Sequence, residues 1–401
     1  MKILFVSDSY YPHVNGVYYF VSRIGPLLQQ RGHEVAVIAP SGSMHSFQKK
    51  IDGLEVSGLA SLPVPGYPTI RITIPIMLKS RIEGIIQSFR PDIIHIQDHF
   101  LICKLVVDII SDLKIPVMGT NHLMAENFTV FIPSDYLKHR FETFLWKAFS
   151  RVFNRVNLVT TPTETGARLI RPKLGVNVLA ISNGINLEKF NPSGDWFYVK
   201  EKYGIPDKPV LLYTGRLDPE KHIEEILKSV ALALKTIDFS FVIVGKGTKK
   251  TALEQLTRQL GITDNVIFTG FVPDEDLPYF YKFSRCFIIA SIAELLSLVT
   301  LQAMASGLPV IAVNAGALTE LVRDKVNGYL FNEGDLPSIT KHIVDIITRD
   351  DIYRKMSEES LEIVKQHDIY KTVESFEKLY DDCRAKYMVA TEDPLSVPST
   401  F

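Results

Sequence analysis

Short, continuous apolar runs alternate with longer stretches of helical spacing along this chain. In the first half the runs are Ile3–Val6, Glu34–Ala39, Ile93–Ile96, Val117–Thr120 and Leu158–Thr161. A second series follows at Val210–Thr214, Phe241–Val244, Val266–Thr269, Cys286–Ala290, Val310–Ala312 and Gly328–Phe331. Apolar runs that are continuous rather than alternating predict strands covered on both faces, and regular strand-helix alternation predicts parallel order. The pattern therefore predicts an α/β protein of two doubly wound, Rossmann-like domains. Asn186, Asn191, Pro192, Gly194 and Pro206 break periodicity at the seam. The domains are placed at residues 1–185 and 186–369. A last helical pattern, about 370–387, is long enough to pack back on the first domain, and residues 391–401, with two prolines and no apolar periodicity, read as a tail. Ligands of such sheets bind beyond the carboxyl ends of the strands, so a cleft between the domains is the expected site.

The 401 residues, 46% hydrophobic and 22% charged, supply enough apolar material for two cores. Cys103, Cys286 and Cys383 are too far apart in sequence to suggest a metal knuckle or a disulfide framework, which fits a cytoplasmic chain. The apolar start ends at Ser7 and Asp8, too early for a signal peptide. No window has the apolar length of a spanning helix, so any membrane contact is expected to be peripheral. The net charge of −1 hides an asymmetry: residues 1–190 carry 20 Lys and Arg against 14 Asp and Glu, the remainder 24 against 31. That excess lacks the clustering of a nucleic-acid binder, so no nucleic-acid partner is expected.

Chemistry concentrates after two strands of the second half. Following Phe287–Ala290, Glu294 falls on a loop, and Leu298–Ser306 has helical spacing ended by Gly307. The N–H groups opening that helix, about Ser297, Leu298 and Val299, suit a diphosphate, and a carboxylate beside them can accept from sugar hydroxyls. Thr214-Gly-Arg-Leu-Asp-Pro-Glu-Lys221 places Arg216 and Lys221 in the loop after another strand, two cations suited to a leaving diphosphate.

In this order the motifs resemble those of the GT-B, family 4 retaining glycosyltransferases, over nearly the whole chain to about Tyr387. The resemblance implies that Arg216 and Lys221 meet the diphosphate and that Glu294 positions the sugar. It places Gln302 where the family usually has a second glutamate, at the nucleotide ribose. A neutral amide keeps hydrogen bonding there but lacks the charge-assisted acceptor. Gly245 in Val244-Gly-Lys-Gly247, and Phe271 and Val272 in Thr269-Gly-Phe-Val272, match donor-side turns, the latter beside the base. Gly16 in Pro12-His-Val-Asn-Gly-Val17 matches the glycine loop facing the phosphates. Asn15 replaces a frequent glycine there, and as a residue tolerant of left-handed geometry it is expected to preserve the loop. His222 also stands where a glycine is frequent.

His122 resembles the family histidine that contacts the transferred sugar or the acceptor, while a satisfied structural histidine remains the other reading. Asp98, His99 and Asn121 are acceptor-side candidates, with His99 expected to be structural. Thr163-Glu164 matches a position serving the cleft. The implied reaction transfers a hexose, with UDP the expected nucleotide, to a hydroxyl of a lipid, glycan or small molecule by front-face displacement, with neither cofactor nor metal. Within residues 136–156, Leu137, Phe141, Phe144, Leu145, Ala148, Phe149 and Val152 form an apolar stripe and Lys147, Arg151 and Arg155 a basic one. A core-facing helix is one reading, and peripheral contact with the inner face of a membrane the other. A sugar-nucleotide epimerase of the same fold, and a nucleotide-sugar-binding protein impaired by Gln302, are the alternatives in function.

Overall fold

The structure is a computed structural model describing residues 1–13, 15–64, 67–110, 113–122, 134–190 and 196–392. The chain divides into two units: Met1–Asn183 with the chain from Tyr370 onward, and Gly184–Ile369.

The first unit contains β1 (Lys2–Val6), α1 (Gly16–Gln30), β2 (Glu34–Pro40), β3 (Phe47–Ile51), β4 (Leu54–Leu59), β5 (Ser61–Val64), β6 (Tyr67–Thr73) and α2 (Leu78–Phe89). It continues with β7 (Ile93–Ile96), α3 (Leu101–Ile110), β8 (Val117–Thr120), α4 (Asp135–Phe153), β9 (Leu158–Thr161), α5 (Glu164–Ile170) and β10 (Val178–Ala180). Its main sheet has the order β10-β9-β8-β7-β1-β2-β4-β3, and only β3 runs antiparallel to its neighbour. The five apolar runs of the first half form its centre. Strand order reverses at β1, which pairs with β2 on one side and β7 on the other. The carboxyl ends of β1 and β7 therefore flank a switch point. Strands β3 to β6 and β10 are additions to the predicted set. In β3, Gln48, Lys49 and Lys50 are exposed, so an edge strand protected by lysines has no apolar run to announce it.

The C-terminal helix, Ile369–Glu392, belongs to this unit from Tyr370 onward; it extends beyond residue 387 and includes Thr391 and Glu392, read as tail. The remaining tail residues, 393–401, lie outside the described residues. Val373, Phe376, Tyr380 and Cys383 are buried in a core shared with β1 and α1. Tyr380 OH lies 2.8 Å from His95 Nδ1, and Glu377 meets Arg31 at 2.6 Å and His33 at 2.8 Å.

The stripe on α4 divides into two parts. Leu145, Phe149 and Val152 are buried and Ala148 is partly so, whereas Leu137, Phe141 and Phe144 are exposed, as is Tyr136. Among the described residues, the core-facing reading thus fits only the C-terminal half.

The second unit contains α6 (Phe197–Lys202), β11 (Val210–Thr214), α7 (Ile223–Ala233), β12 (Ser240–Val244), α8 (Lys250–Gln259), β13 (Val266–Gly270), α9 (Leu277–Lys282) and β14 (Cys286–Ile289). Then follow α10 (Leu298–Ala305), β15 (Val310–Val313), α11 (Leu318–Leu321), β16 (Gly328–Phe331), α12 (Leu336–Thr348) and α13 (Asp350–Val364). The sheet is parallel throughout, ordered β13-β12-β11-β14-β15-β16. This is the doubly wound order with its switch point between β11 and β14. The loops carrying Arg216, Lys221 and Glu294 leave those two strands.

Candidate functional site

Beyond β11, Gly215 takes φ +148, and Gly245, beyond β12, takes φ +142. A Cβ on Gly245 would fall 1.8 Å from the Gly215 carbonyl oxygen, so the two loops stack backbone on backbone. Glycine at 245 is thus required by loop packing whatever it contacts. The chain then forms a 3-10 turn, Pro219–Lys221, followed by His222 at φ +49, a left-handed conformation that explains why glycine suits that position.

Lys221 Nζ reaches 2.6 Å from Glu294 Oε1 and 3.2 Å from Ser291 Oγ. The Glu294 backbone is in turn anchored, its carbonyl accepting from Ala317 N–H at 3.2 Å. Arg216 stays exposed and pairs with Asp218 and, at 2.6 Å, with Glu220. Asp218 also accepts from Thr248 N–H at 3.0 Å, tying the β11 and β12 loops together. Both cations are therefore neutralised by carboxylates of their own unit.

Ser297 caps α10, its hydroxyl accepting from the Thr300 N–H at 3.3 Å. The N–H groups of Leu298 and Val299 have no partner among the described residues. They form the positive end of the helix beside the Lys221–Glu294 pair. One turn further in, Gln302 is buried, and its Oε1 accepts from Tyr281 OH at 2.7 Å. The carbonyl expected to serve ribose hydroxyls is thus engaged within the protein. Of the two candidates beside the base, Phe271 is 68% exposed, with Lys246 Nζ 5.5 Å from its ring centroid. Val272 is buried in the core.

In the first unit, Asn15 is extended, at φ −144, and its side chain accepts from Tyr18 N–H at 3.0 Å. It serves α1 as an N-cap, not through left-handed geometry, because its short carbonyl reaches the orphan N–H groups of the first turn. Gly16, exposed, opens that helix.

Asp98 follows β7 and accepts from Asp8 N–H at 2.8 Å, Ser7 Oγ at 3.2 Å and Phe100 N–H at 3.3 Å. Asp8 in turn caps α3 through the N–H groups of Ile102 and Cys103 at 2.6 and 3.1 Å. Burial, and then the neighbouring Asp98, hold the Asp8 carboxyl well above its usual range. Asp98 is therefore committed to organising the switch-point turn, which leaves it little capacity toward an acceptor.

His99 is buried, and among the described residues neither ring nitrogen has a hydrogen-bond partner; its ring lies 4.4 Å from that of Phe100, tilted to it, and packs edge-on against Phe149. Burial lowers its pKa, and Asp98 opposes that. Asn121 is buried, its backbone N–H bonded to Thr160 O at 2.8 Å. His122 packs on Phe20 and places Nε2 2.9 Å from Gln97 Oε1. Gln97 donates its amide to the His95 carbonyl, so its oxygen faces the ring and His122 Nε2 carries the proton. Burial lowers the His122 pKa to about 4, with Asp98 opposing. The ring is thus neutral at physiological pH, with Nδ1 left as an acceptor. Thr163 caps α5 and Glu164 pairs with Arg171, so both are occupied on the helix they begin.

Sequence reasoning did not single out Ser291, Tyr281 or Gln97. Ser291 and Gln97 could have been found, since each directly follows an apolar run at a strand's carboxyl end. Tyr281 could not, because nothing local marks a tyrosine on a short helix as the partner of a glutamine 21 residues away.

Two families match the chain: "Glycosyl transferases group 1" over residues 198–362, and "Glycosyltransferase Family 4" over residues 14–189. Alpha-monoglucosyldiacylglycerol synthase of Streptococcus pneumoniae is 30% identical over 345 residues, covering 84% of this chain and 76% of that protein. A GDP-mannose-dependent alpha-mannosyltransferase of Mycolicibacterium smegmatis is 25% identical, with 86% and 89% covered. The crystal structure of Anabaena Alr3699/HepE in complex with UDP superposes with a TM-score of 0.73 at 19% identity, covering 95% of this chain and 100% of that one.

Proposed function

The chain belongs to the GT-B glycosyltransferases of family 4, and from that premise we propose that it transfers a hexose from UDP, glucose foremost, to an acceptor hydroxyl with retention of configuration. The observation that carries this reading is the Lys221–Glu294 pair beside the open N–H groups of α10, at the switch point of the second sheet. A diphosphate needs cations and N–H donors, and a sugar needs a fixed carboxylate beside them. The loops of β11 and β14 supply all three.

In the proposed step the acceptor oxygen attacks the anomeric carbon on the face the phosphate leaves. The carbon–oxygen bond to the diphosphate breaks, the bond to the acceptor oxygen forms, and the acceptor's proton passes to a phosphate oxygen. Arg216, Lys221 and the α10 N–H groups stabilise the charge that grows on the diphosphate. Glu294 orients sugar hydroxyls, and the neutral His122 accepts from a hydroxyl of the sugar or acceptor through Nδ1. In this reading protein cations take the part a metal would otherwise play.

A lipid hydroxyl is the proposed acceptor, in keeping with the name of the pneumococcal relative. No helix among the described residues is long and apolar enough to cross a membrane. Peripheral contact is proposed through α4, where Tyr136, Leu137 and Phe144 are exposed beside Arg140 and Lys147.

The test is incubation with UDP-[14C]glucose and diacylglycerol in anionic vesicles, with GDP-[14C]mannose in parallel and the anomeric configuration of the product read by NMR. Transfer from UDP-glucose with an α-linked product supports the reading, and transfer from GDP-mannose alone corrects the donor. Conversion of the donor without acceptor would make the protein an epimerase or hydrolase. Nucleotide binding without turnover would make it the impaired binding protein.

A further inference from the structure

Tyr281, Thr214 and Gln302 form a buried relay joining the end of β11, α9 and α10. Thr214 is 3% exposed, and its Oγ1 has one hydrogen-bond neighbour among the described residues, Tyr281 OH at 2.5 Å. The threonine proton must therefore go to the Tyr281 oxygen. The Tyr281 proton is then left for Gln302 at 2.7 Å, which can receive it only through its carbonyl. The opposite orientation, with the Gln302 amide donating to Tyr281, would strand the buried Thr214 proton without an acceptor. Gln302 Nε2 has no partner among the described residues and is not sealed from solvent.

We propose that Tyr281 is a positioning residue: it holds the Gln302 carbonyl inward and the amide N–H groups outward, so that this position offers nucleotide ribose hydroxyls a donor in place of an acceptor. The inference rests on the nucleotide-sugar reading above. A carboxylate at 302 would behave differently, since one oxygen would take the Tyr281 proton and the other would remain free to accept from the ribose. A side chain released from Tyr281 could turn its own oxygen outward. The benefit of a carboxylate at 302 therefore depends on Tyr281.

The experiment is a double-mutant cycle of wild type, Tyr281→Phe, Gln302→Glu and the double variant. Calorimetry gives, for each, the ratio of the dissociation constants of 2′,3′-dideoxy-UDP and UDP. Gln302→Glu is expected to raise that ratio about tenfold when Tyr281 is present and less than threefold in the Tyr281→Phe background. An equal gain in both backgrounds would mean that Tyr281 is merely structural and overturns the proposal. No gain in either, with UDP still bound, would place Gln302 away from the ribose and overturn it while leaving the glycosyltransferase reading intact. Binding of neither UDP nor GDP to the wild type would sink that reading and the inference with it. Should Tyr281→Phe fail to fold, Thr214→Val removes the proton that sets the relay's direction, and the same loss of coupling is expected from it.

Discussion

Lys221 Nζ and Glu294 Oε1 lie 2.6 Å apart, with their side chains only 14% and 16% exposed. They come from loops 73 residues apart in sequence, brought together because β11 and β14 are neighbours in the sheet. A charge this withdrawn from water depends on its partner, and removing one leaves the other uncompensated. The lysine assigned to the diphosphate and the glutamate assigned to the sugar are thus one electrostatic unit before any ligand arrives.

Lys221→Ala is expected to weaken UDP binding by about 1.5–3 kcal/mol, the range for hydrogen bonds to charged groups, and also to lower stability. Lys221→Ala combined with Glu294→Ala should recover part of the stability but none of the affinity. Calorimetry and urea unfolding separate the two effects. Unchanged UDP affinity in the single variant would remove Lys221 from the donor site.

Arg216 makes the contrasting case. Its partners are on its own turn and its side chain is 68% exposed, so its ion pairs contribute little to the fold. Arg216→Ala should weaken UDP binding by a similar amount yet move the unfolding free energy by less than about 0.5 kcal/mol. A large loss of stability would show that the arginine holds the loop together.

Glu294→Ala is expected to bind UDP about as well as wild type, because in the proposed site the carboxylate serves the sugar and its loss frees Lys221 for phosphate. Turnover should be lost. Equal loss of UDP affinity would reassign Glu294 to the nucleotide or to folding.

The division between what the sequence shows and what it hides follows the range of the forces involved. Buried parallel strands such as Cys286–Ile289 are legible because complete burial on both faces favours an unbroken apolar run. The edge strand Phe47–Ile51 is not, because an exposed edge favours lysines. Arg216, Lys221 and Glu294 were legible as residue types at strand ends. Their pairing was not, since only the strand order brings them together. Gln302 shows the limit most sharply: its position on the helix could be read, but the direction of its amide is set by Thr214 and Tyr281, from two other elements.

With one carboxylate oxygen held by Tyr281 and the other free, Gln302→Glu should raise kcat/KM for the donor by roughly tenfold, equivalent to about 1.4 kcal/mol in the transition state. Steady-state kinetics with donor varied at fixed acceptor measures it. No gain, or a loss, would mean that the pocket is adapted to the amide and that Gln302 impairs nothing.

The last prediction concerns acid. His122 and His367 are both lowered by burial to about 4, with Asp98 opposing the shift at His122 and Glu320 at His367. In the unfolded chain each titrates near its ordinary value of about 6.5. Between these values the unfolded state binds protons that the folded state refuses, so stability is complete above about pH 6.5 and is lost as pH falls toward 4. Each histidine contributes a slope of up to about 1.4 kcal/mol per pH unit in that window. His122→Gln removes one titrating group while keeping a side chain that can donate to Gln97. Its loss of stability between pH 6.5 and 4.5 should therefore be smaller than that of wild type by about 2 kcal/mol, read from urea midpoints at the two pH values. The kcat/KM profile of wild type should carry no inflection near 6.5 from His122, whose ring is already neutral there. An unchanged pH dependence in His122→Gln would show that the ring titrates normally, and would withdraw the neutral Nδ1 acceptor from the proposed mechanism.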